Sequence, residues 1–190
     1  MVTNNPKKYL VIGLESSCTR YFARLLALNL GIIGDPSDWD GHYEIKNDLH
    51  MVVHRSLPHG ARHNYVDDWH TYDIIVMCTR DIHCTLQSKT TWHQPVRYLA
   101  EEENDKGRKI LRDVIANKGC YLFSYETAWL LGDIYIEKIL ESLGLDFKKK
   151  LDLHDINHKY FTHAEKANSS HVKSVLRAII WILHKMYTKL

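Results

Sequence analysis

Apolar residues along this chain gather into short unbroken runs, separated by stretches in which they recur every third or fourth residue. Tyr9-Leu10-Val11-Ile12-Gly13 is one such run; Met51-Val52-Val53-His54, the stretch from Asp73 to Thr79, and Cys120-Tyr121-Leu122-Phe123-Ser124 are three more. Short runs without alternation predict strands buried on both faces, as in a parallel sheet. After Gly13, residues Tyr21, Phe22, Leu25, Leu26 and Leu30 fall at helical spacing, with Ser16 or Ser17 positioned as N-cap. After the fourth run, Trp129, Leu130, Ile134, Ile139, Leu140 and Leu143 keep the helical period up to Gly144, a residue suited to the left-handed turn that ends a helix. From Ser169 onward, Val172, Val175, Leu176, Ile179, Ile180, Leu183, Met186 and Leu190 form a wide apolar stripe. It predicts a core-packed C-terminal helix with Lys173 and Arg177 in solvent; a membrane-surface or partner helix is the alternative. Strands alternating with helices predict an α/β fold with a short, mainly parallel sheet of about four to five strands.

Two segments break the pattern. Residues 35–62, apart from the second strand, are rich in His, Asp, Trp and Tyr, and residues 93–118 are strongly charged. Ligands of open α/β sheets bind beyond the carboxyl ends of the strands, where such connections gather, so both segments are predicted as acceptor-side insertions. A plain solvated helix is the alternative for the second.

Composition narrows the class. A chain of 190 residues is one domain of ordinary size, able to bury roughly 70% of its unfolded surface. A net charge of +2 gives no field from which nucleic-acid or membrane binding follows. Cys18, Cys78, Cys84 and Cys120 are widely spaced and form no C-x-x-C pair, which predicts free thiols in a reducing compartment. The N-terminal residues have no signal-peptide pattern and no apolar run is long enough to span a bilayer, so the expectation is a soluble, cytoplasmic protein (host cytoplasm if viral) that meets no membrane. Thirteen histidines include the pairs His50 and His54, His59 and His63, and His154 and His158 at spacing four, yet no H-E-x-x-H or Cys-rich ligand set accompanies them. No metal site is predicted.

Gly13-Leu14-Glu15-Ser16-Ser17-Cys18-Thr19-Arg20 follows the first strand and opens the first helix, where main-chain amides and the helix dipole favour phosphate. It is not a Walker A loop, since Cys18, Thr19 and Arg20 stand where G-K-[ST] is required. Ser17-Cys18-Thr19-Arg20-Tyr21 resembles the 5′-phosphosulfate loop of sulfotransferases, usually S-G-T-T-W. Arg80 at the end of the third run, with Ser88 eight residues later, resembles the pair with which that family holds the 3′-phosphate of its donor. His54-Arg55-Ser56-Leu57-Pro58 resembles its K-T-H-L-P, and Ser124-Tyr125-Glu126 with Leu143-Gly144-Leu145 resembles its Y-E-D-L and F-L-G-L segments. The resemblance implies a P-loop NTPase-like three-layer sandwich spanning residues 1–190 as one transferase domain.

It also implies 3′-phosphoadenosine 5′-phosphosulfate as donor, bound by Gly13, Ser16, Ser17, Cys18, Thr19, Arg20, Arg80 and Ser88, and a hydroxyl-bearing acceptor. The chain departs from the family at its loop cation, at the K-T-H histidine, replaced by Ser56, and in lacking the C-terminal G-x-x-G-x-x-K segment. Glu15 further puts a carboxylate in the loop, which repels phosphate unless a cation or a proton intervenes. In-line transfer needs cations about the transferring group and a base for the acceptor proton. Arg20 is the candidate for the first and His54 for the second, with Arg55 or Lys89 as added charge and His42, Glu44 or Glu15 as other bases. Two alternatives remain open. One is a small kinase using ATP with Mg²⁺ on a hydroxyl, for which a 5-hydroxymethyl pyrimidine in phage DNA is a candidate and nucleic acid a partner. The other is a non-catalytic nucleotide-binding module. Acceptor identity and oligomeric state are not encoded in any of these motifs.

Overall fold

The computed structural model describes residues 5–33, 42–58, 68–92, 94–154 and 157. The C-terminal stripe from Ser169, His93, and residues 35–41 and 59–62 of the segment 35–62 lie outside the described residues. Five strands, β1 (Lys7–Leu14), β2 (His42–Lys46), β3 (His50–Leu57), β4 (Ile74–Thr79) and β5 (Tyr121–Ser124), form one sheet in the order β2-β3-β1-β4-β5. β1 lies at its centre, parallel to β3 and β4, and β5 is parallel to β4; only β2 is antiparallel, on β3.

The four strands read from apolar runs are all present. β2 is the addition, and it departs from those runs for a physical reason. Tyr43 and Ile45 are half-buried while Glu44 and Lys46 are exposed, the alternation of an edge strand rather than a buried run. It joins β3 through a turn in which the Asn47 carboxamide oxygen accepts from the amides of Leu49 and His50.

Successive strand residues face opposite ways, so each face of the sheet has its own core. Tyr9, Val11, Val52, Val76 and Phe123 pack against Phe22, Leu25 and Leu26 of α1 (Thr19–Asn29), together with Ile136 and Leu140 further along the chain. Leu10, Ile12, Val53, Leu57, Ile75 and Met77 pack on the other face against Leu111 and Val114. Those two residues belong to α3 (Arg97–Asn117), which follows α2 (Ile82–Trp92) and buries Ala100, Asn104, Gly107, Leu111 and Val114 at spacings of three and four. Residues 97–117 thus form a helix that closes the second face and turns most of its charges to solvent, the arrangement of the plain-helix alternative.

The helix expected after the fourth strand is two helices, α4 (Tyr125–Leu131) and α5 (Asp133–Ser142), broken at Gly132, whose φ is +59°. A positive φ at glycine costs little, and the new direction brings the Tyr135 hydroxyl to the Ser124 amide at 2.9 Å. Ser124 caps α4 by accepting from the Thr127 amide. Among the described residues no helix is long and apolar enough to cross a membrane.

Candidate functional site

α1 leaves β1 over one face of the sheet, whereas α3, downstream of β4, covers the other. The carboxyl ends of the neighbouring strands β1 and β4 therefore border the crevice in which open α/β sheets hold ligands. The loop after β1 forms one wall. Its Glu15 amide donates to the Leu57 carbonyl at 2.9 Å, fastening it to the end of β3, and the Ser17 amide closes a turn onto the Leu14 carbonyl at 2.9 Å. Ser16 and Cys18 have φ of +69° and +72°, the left-handed region that costs a side-chain-bearing residue on the order of 1 kcal/mol.

Cys18, not Ser16 or Ser17, is the N-cap of α1, and no side chain caps the helix. The glycine of S-G-T-T-W stands at this position in the pattern, and glycine adopts such a φ without strain. The first helical bond runs from the Phe22 amide to the Cys18 carbonyl at 3.2 Å, so the start of α1 presents its amide end toward the loop. The Ser17 hydroxyl is buried and has no hydrogen-bond partner among the described residues.

Beneath the loop lies a closed triangle of polar atoms. His54 Nε2 is 2.8 Å from Thr19 Oγ1 and 3.3 Å from Ser56 Oγ, and the two hydroxyl oxygens are 3.1 Å apart. His54 and Ser56 are two apart on β3 and share the face covered by α1, whose first residue is Thr19. All three residues are buried, His54 at 2% exposure. The imidazole is thus engaged with the loop's own threonine from below, and its contacts orient that hydroxyl. Arg20, in the first turn of α1, is exposed.

Across the crevice, Arg80 follows the last residue of β4. One terminal nitrogen donates to the Ser16 carbonyl at 2.9 Å, Nε donates to Asn157 Oδ1 at 2.7 Å, and the guanidinium lies over the Tyr125 ring at 5.3 Å. Asp81 caps α2, its carboxylate accepting from the Cys84 amide at 2.9 Å; this bond holds the Asp81 carboxyl below its ordinary range. Ser88 is buried two turns into α2. The next residue, Lys89, is fully buried, with Nζ 3.2 Å from Glu15 and 2.9 Å from Glu103 of α3. The cation that the loop carboxylate requires therefore comes from α2. Arg55 is committed on the opposite face, bonded to Asp68 at 2.7 Å and to the Tyr72 hydroxyl at 3.3 Å.

Burial alone would raise the Asp68 carboxyl; Arg55 and then Tyr72 outweigh it and hold the group below its ordinary value of 3.8. A carboxylate whose folded pKa is depressed stabilises above its unfolded pKa and loses that contribution as pH falls through the folded one. Asp68→Asn is expected to lower stability near neutral pH by about 1 kcal/mol after solvent screening. Thermal melts from pH 7 to pH 3 check this: the gap between the proteins should close only in the acid range. A gap independent of pH would refute the ionic role.

The thiols are unsuited to nucleophilic chemistry. Burial, partly offset by Arg80, pushes Cys18 up to about 12, and burial also pushes Cys84 up to about 11 and raises Cys78 and Cys120. All four cysteines are free. Among the described residues, no group of three or more His, Cys, Asp or Glu side chains is gathered as a metal site.

The fold therefore brings Gly13, Ser16, Ser17, Cys18, Thr19, Arg20, His54 and Arg80 around one loop. Lys89, weighed from sequence as added charge, neutralises Glu15. Asn157 carried no signal at all, since its partners lie 77 and 31 residues away. Fold and site together define an α/β protein with a mainly parallel five-stranded sheet and a cluster of polar side chains at the carboxyl ends of β1, β3 and β4. Comparisons with protein-family models, curated proteins and solved structures give no match to the chain.

Proposed function

We propose that the crevice between β1 and β4 binds the phosphates of an adenine-nucleotide donor, and that the protein transfers a sulfuryl group from 3′-phosphoadenosine 5′-phosphosulfate to a hydroxyl acceptor. The observation that carries this reading is the meeting of Arg80 with the Ser16 carbonyl at 2.9 Å, which unites the two segments that resemble a donor site although 64 residues separate them. The Ser17 hydroxyl, buried with no hydrogen-bond partner among the described residues, and the amide end of α1 offer further donors for an anion.

In this reading the loop amides and Thr19 hold the 5′-phosphosulfate, Arg80 and Ser88 hold the 3′-phosphate, and Arg20 faces the transferring group. His54 is a positioning residue, since its Nε2 is engaged by Thr19 and Ser56. The donor supplies an activated sulfur: the acceptor oxygen bonds to it, the bridging bond to phosphate breaks, adenosine 3′,5′-bisphosphate leaves, and the hydroxyl proton passes to a base. Lys89 keeps the Glu15 carboxylate from opposing the donor's charge.

Thermal shift tests the reading. Adenosine 3′,5′-bisphosphate at a hundred times its Kd is expected to stabilise the protein by about 2.7 kcal/mol. A shift with ATP and Mg²⁺ but none with the bisphosphate would replace sulfuryl transfer by the kinase reading. No shift with either would overturn both.

A further inference from the structure

After α5 the chain runs back along α1 toward the loop. The Asn29 carboxamide oxygen, at the end of α1, accepts from the amides of Lys148 and Lys149 at 2.7 and 2.9 Å, and its nitrogen donates to the Lys149 carbonyl. In the first turn of α1 the Tyr21 hydroxyl donates to the Leu151 carbonyl at 2.9 Å. The Tyr125 hydroxyl, at the start of α4, donates to the His154 carbonyl at 2.7 Å. Three side chains from two helices thus hold the main chain of this strap between Lys148 and His154, and Asn157 lies at the crevice.

There Asn157 meets Arg80. Its oxygen accepts from Arg80 Nε at 2.7 Å, and its nitrogen donates to Glu126 Oε1 at 2.9 Å. The same Glu126 oxygen accepts from the Asp81 amide at 2.9 Å. A carboxamide is suited to this place because it offers an acceptor to the cation and a donor to the carboxylate while neutralising neither. A carboxylate there would repel Glu126, and an apolar side chain would serve neither neighbour. With Nε fixed by Asn157, one face of the guanidinium on Tyr125 and one terminal nitrogen on Ser16, the orientation of Arg80 is set by three different segments.

We infer that the strap is part of the anion site and that Asn157 is a positioning residue which, through Arg80, sets the affinity of the crevice for an anionic nucleotide. This rests on the donor-binding reading above, and the test separates the two. Asn157→Ala is expected to bind adenosine 3′,5′-bisphosphate about tenfold more weakly by calorimetry, the scale of one charge-assisted hydrogen bond, at a temperature well below the melting point of both proteins.

Lysine has no Nε, so in an Arg80→Lys background Asn157→Ala is expected to have no further effect. An equal loss in both backgrounds, or equal affinity of wild type and Asn157→Ala, would overturn the inference and leave the donor reading standing. If wild type binds ATP with Mg²⁺ but not the bisphosphate, the sulfuryl donor falls, and the same cycle is measured with ATP, where the same coupling is expected. Failure of wild type to bind either nucleotide would overturn both proposals.

Discussion

Lys89→Met is expected to be the most destabilising single substitution near the loop, costing about 3–5 kcal/mol. The ammonium is fully buried between Glu15 and Glu103, whose side chains are 11% and 30% exposed. Its removal takes from both carboxylates the buried cation they share. Desolvating a charge is tolerable only while its partner is present, so the loss exceeds that of a surface pair, for which about 0–1 kcal/mol is typical.

Adding Glu15→Gln and Glu103→Gln to Lys89→Met is expected to recover most of the stability, because neutral groups replace all three charges. Urea unfolding of wild type, the single variant and the triple variant decides it. A single-variant loss below 1 kcal/mol, or a triple variant no better than the single, would show that the ion triad is not what holds α2, α3 and the loop together.

That triad marks where the sequence stops being legible. Strands buried on both faces announce themselves as apolar runs, so β1, β3 and β4 are visible in the chain; β5 is visible by its apolar run too, although as an edge strand it exposes Tyr121 and Leu122 rather than burying both faces. The helical period of Phe22, Leu25 and Leu26 reveals α1. β2 is hidden because an edge strand with one solvated face reads His-Tyr-Glu-Ile-Lys, which resembles loop. The break at Gly132 is hidden because the apolar period of α4 continues into α5 across a single glycine. At the site, Gly13 to Arg20 and Arg80 could be singled out because each lies at the carboxyl end of a visible strand. The roles of Lys89, Glu103 and Asn157 depend on which helix faces meet, a consequence of three-dimensional packing that no local pattern encodes. Residues 97–117 show the same limit in reverse: their charges dominate the composition, while four small or apolar positions and one asparagine among them determine what the helix covers.

Gly13→Ala is expected to cost about 3 kcal/mol, at the upper end for overpacking, and to abolish anion binding by the loop. A β-carbon there would lie 2.4 Å from Ser17 Oγ, 2.6 Å from the Cys78 carbonyl oxygen and 2.8 Å from Thr19 Cγ2. The carbonyl belongs to β4, directly in register with Gly13, so it cannot withdraw without opening the centre of the sheet. The other two atoms belong to the loop and the start of α1, so relief in that direction moves the groups that would face a phosphate. Gly107 supplies the contrast. A β-carbon there would meet the flexible end of Leu14 at 2.7 Å and the Leu57 main chain at 3.3 Å. Alanine also gains about 1 kcal/mol over glycine inside a helix, so Gly107→Ala is expected to be near neutral. Chemical unfolding of the two variants, with adenosine 3′,5′-bisphosphate titrated into each, distinguishes a packing requirement at the loop from a general intolerance of added volume. A Gly13→Ala protein that unfolds like wild type and binds with equal affinity would refute the close approach of β1, β4 and the loop as the feature that shapes the site.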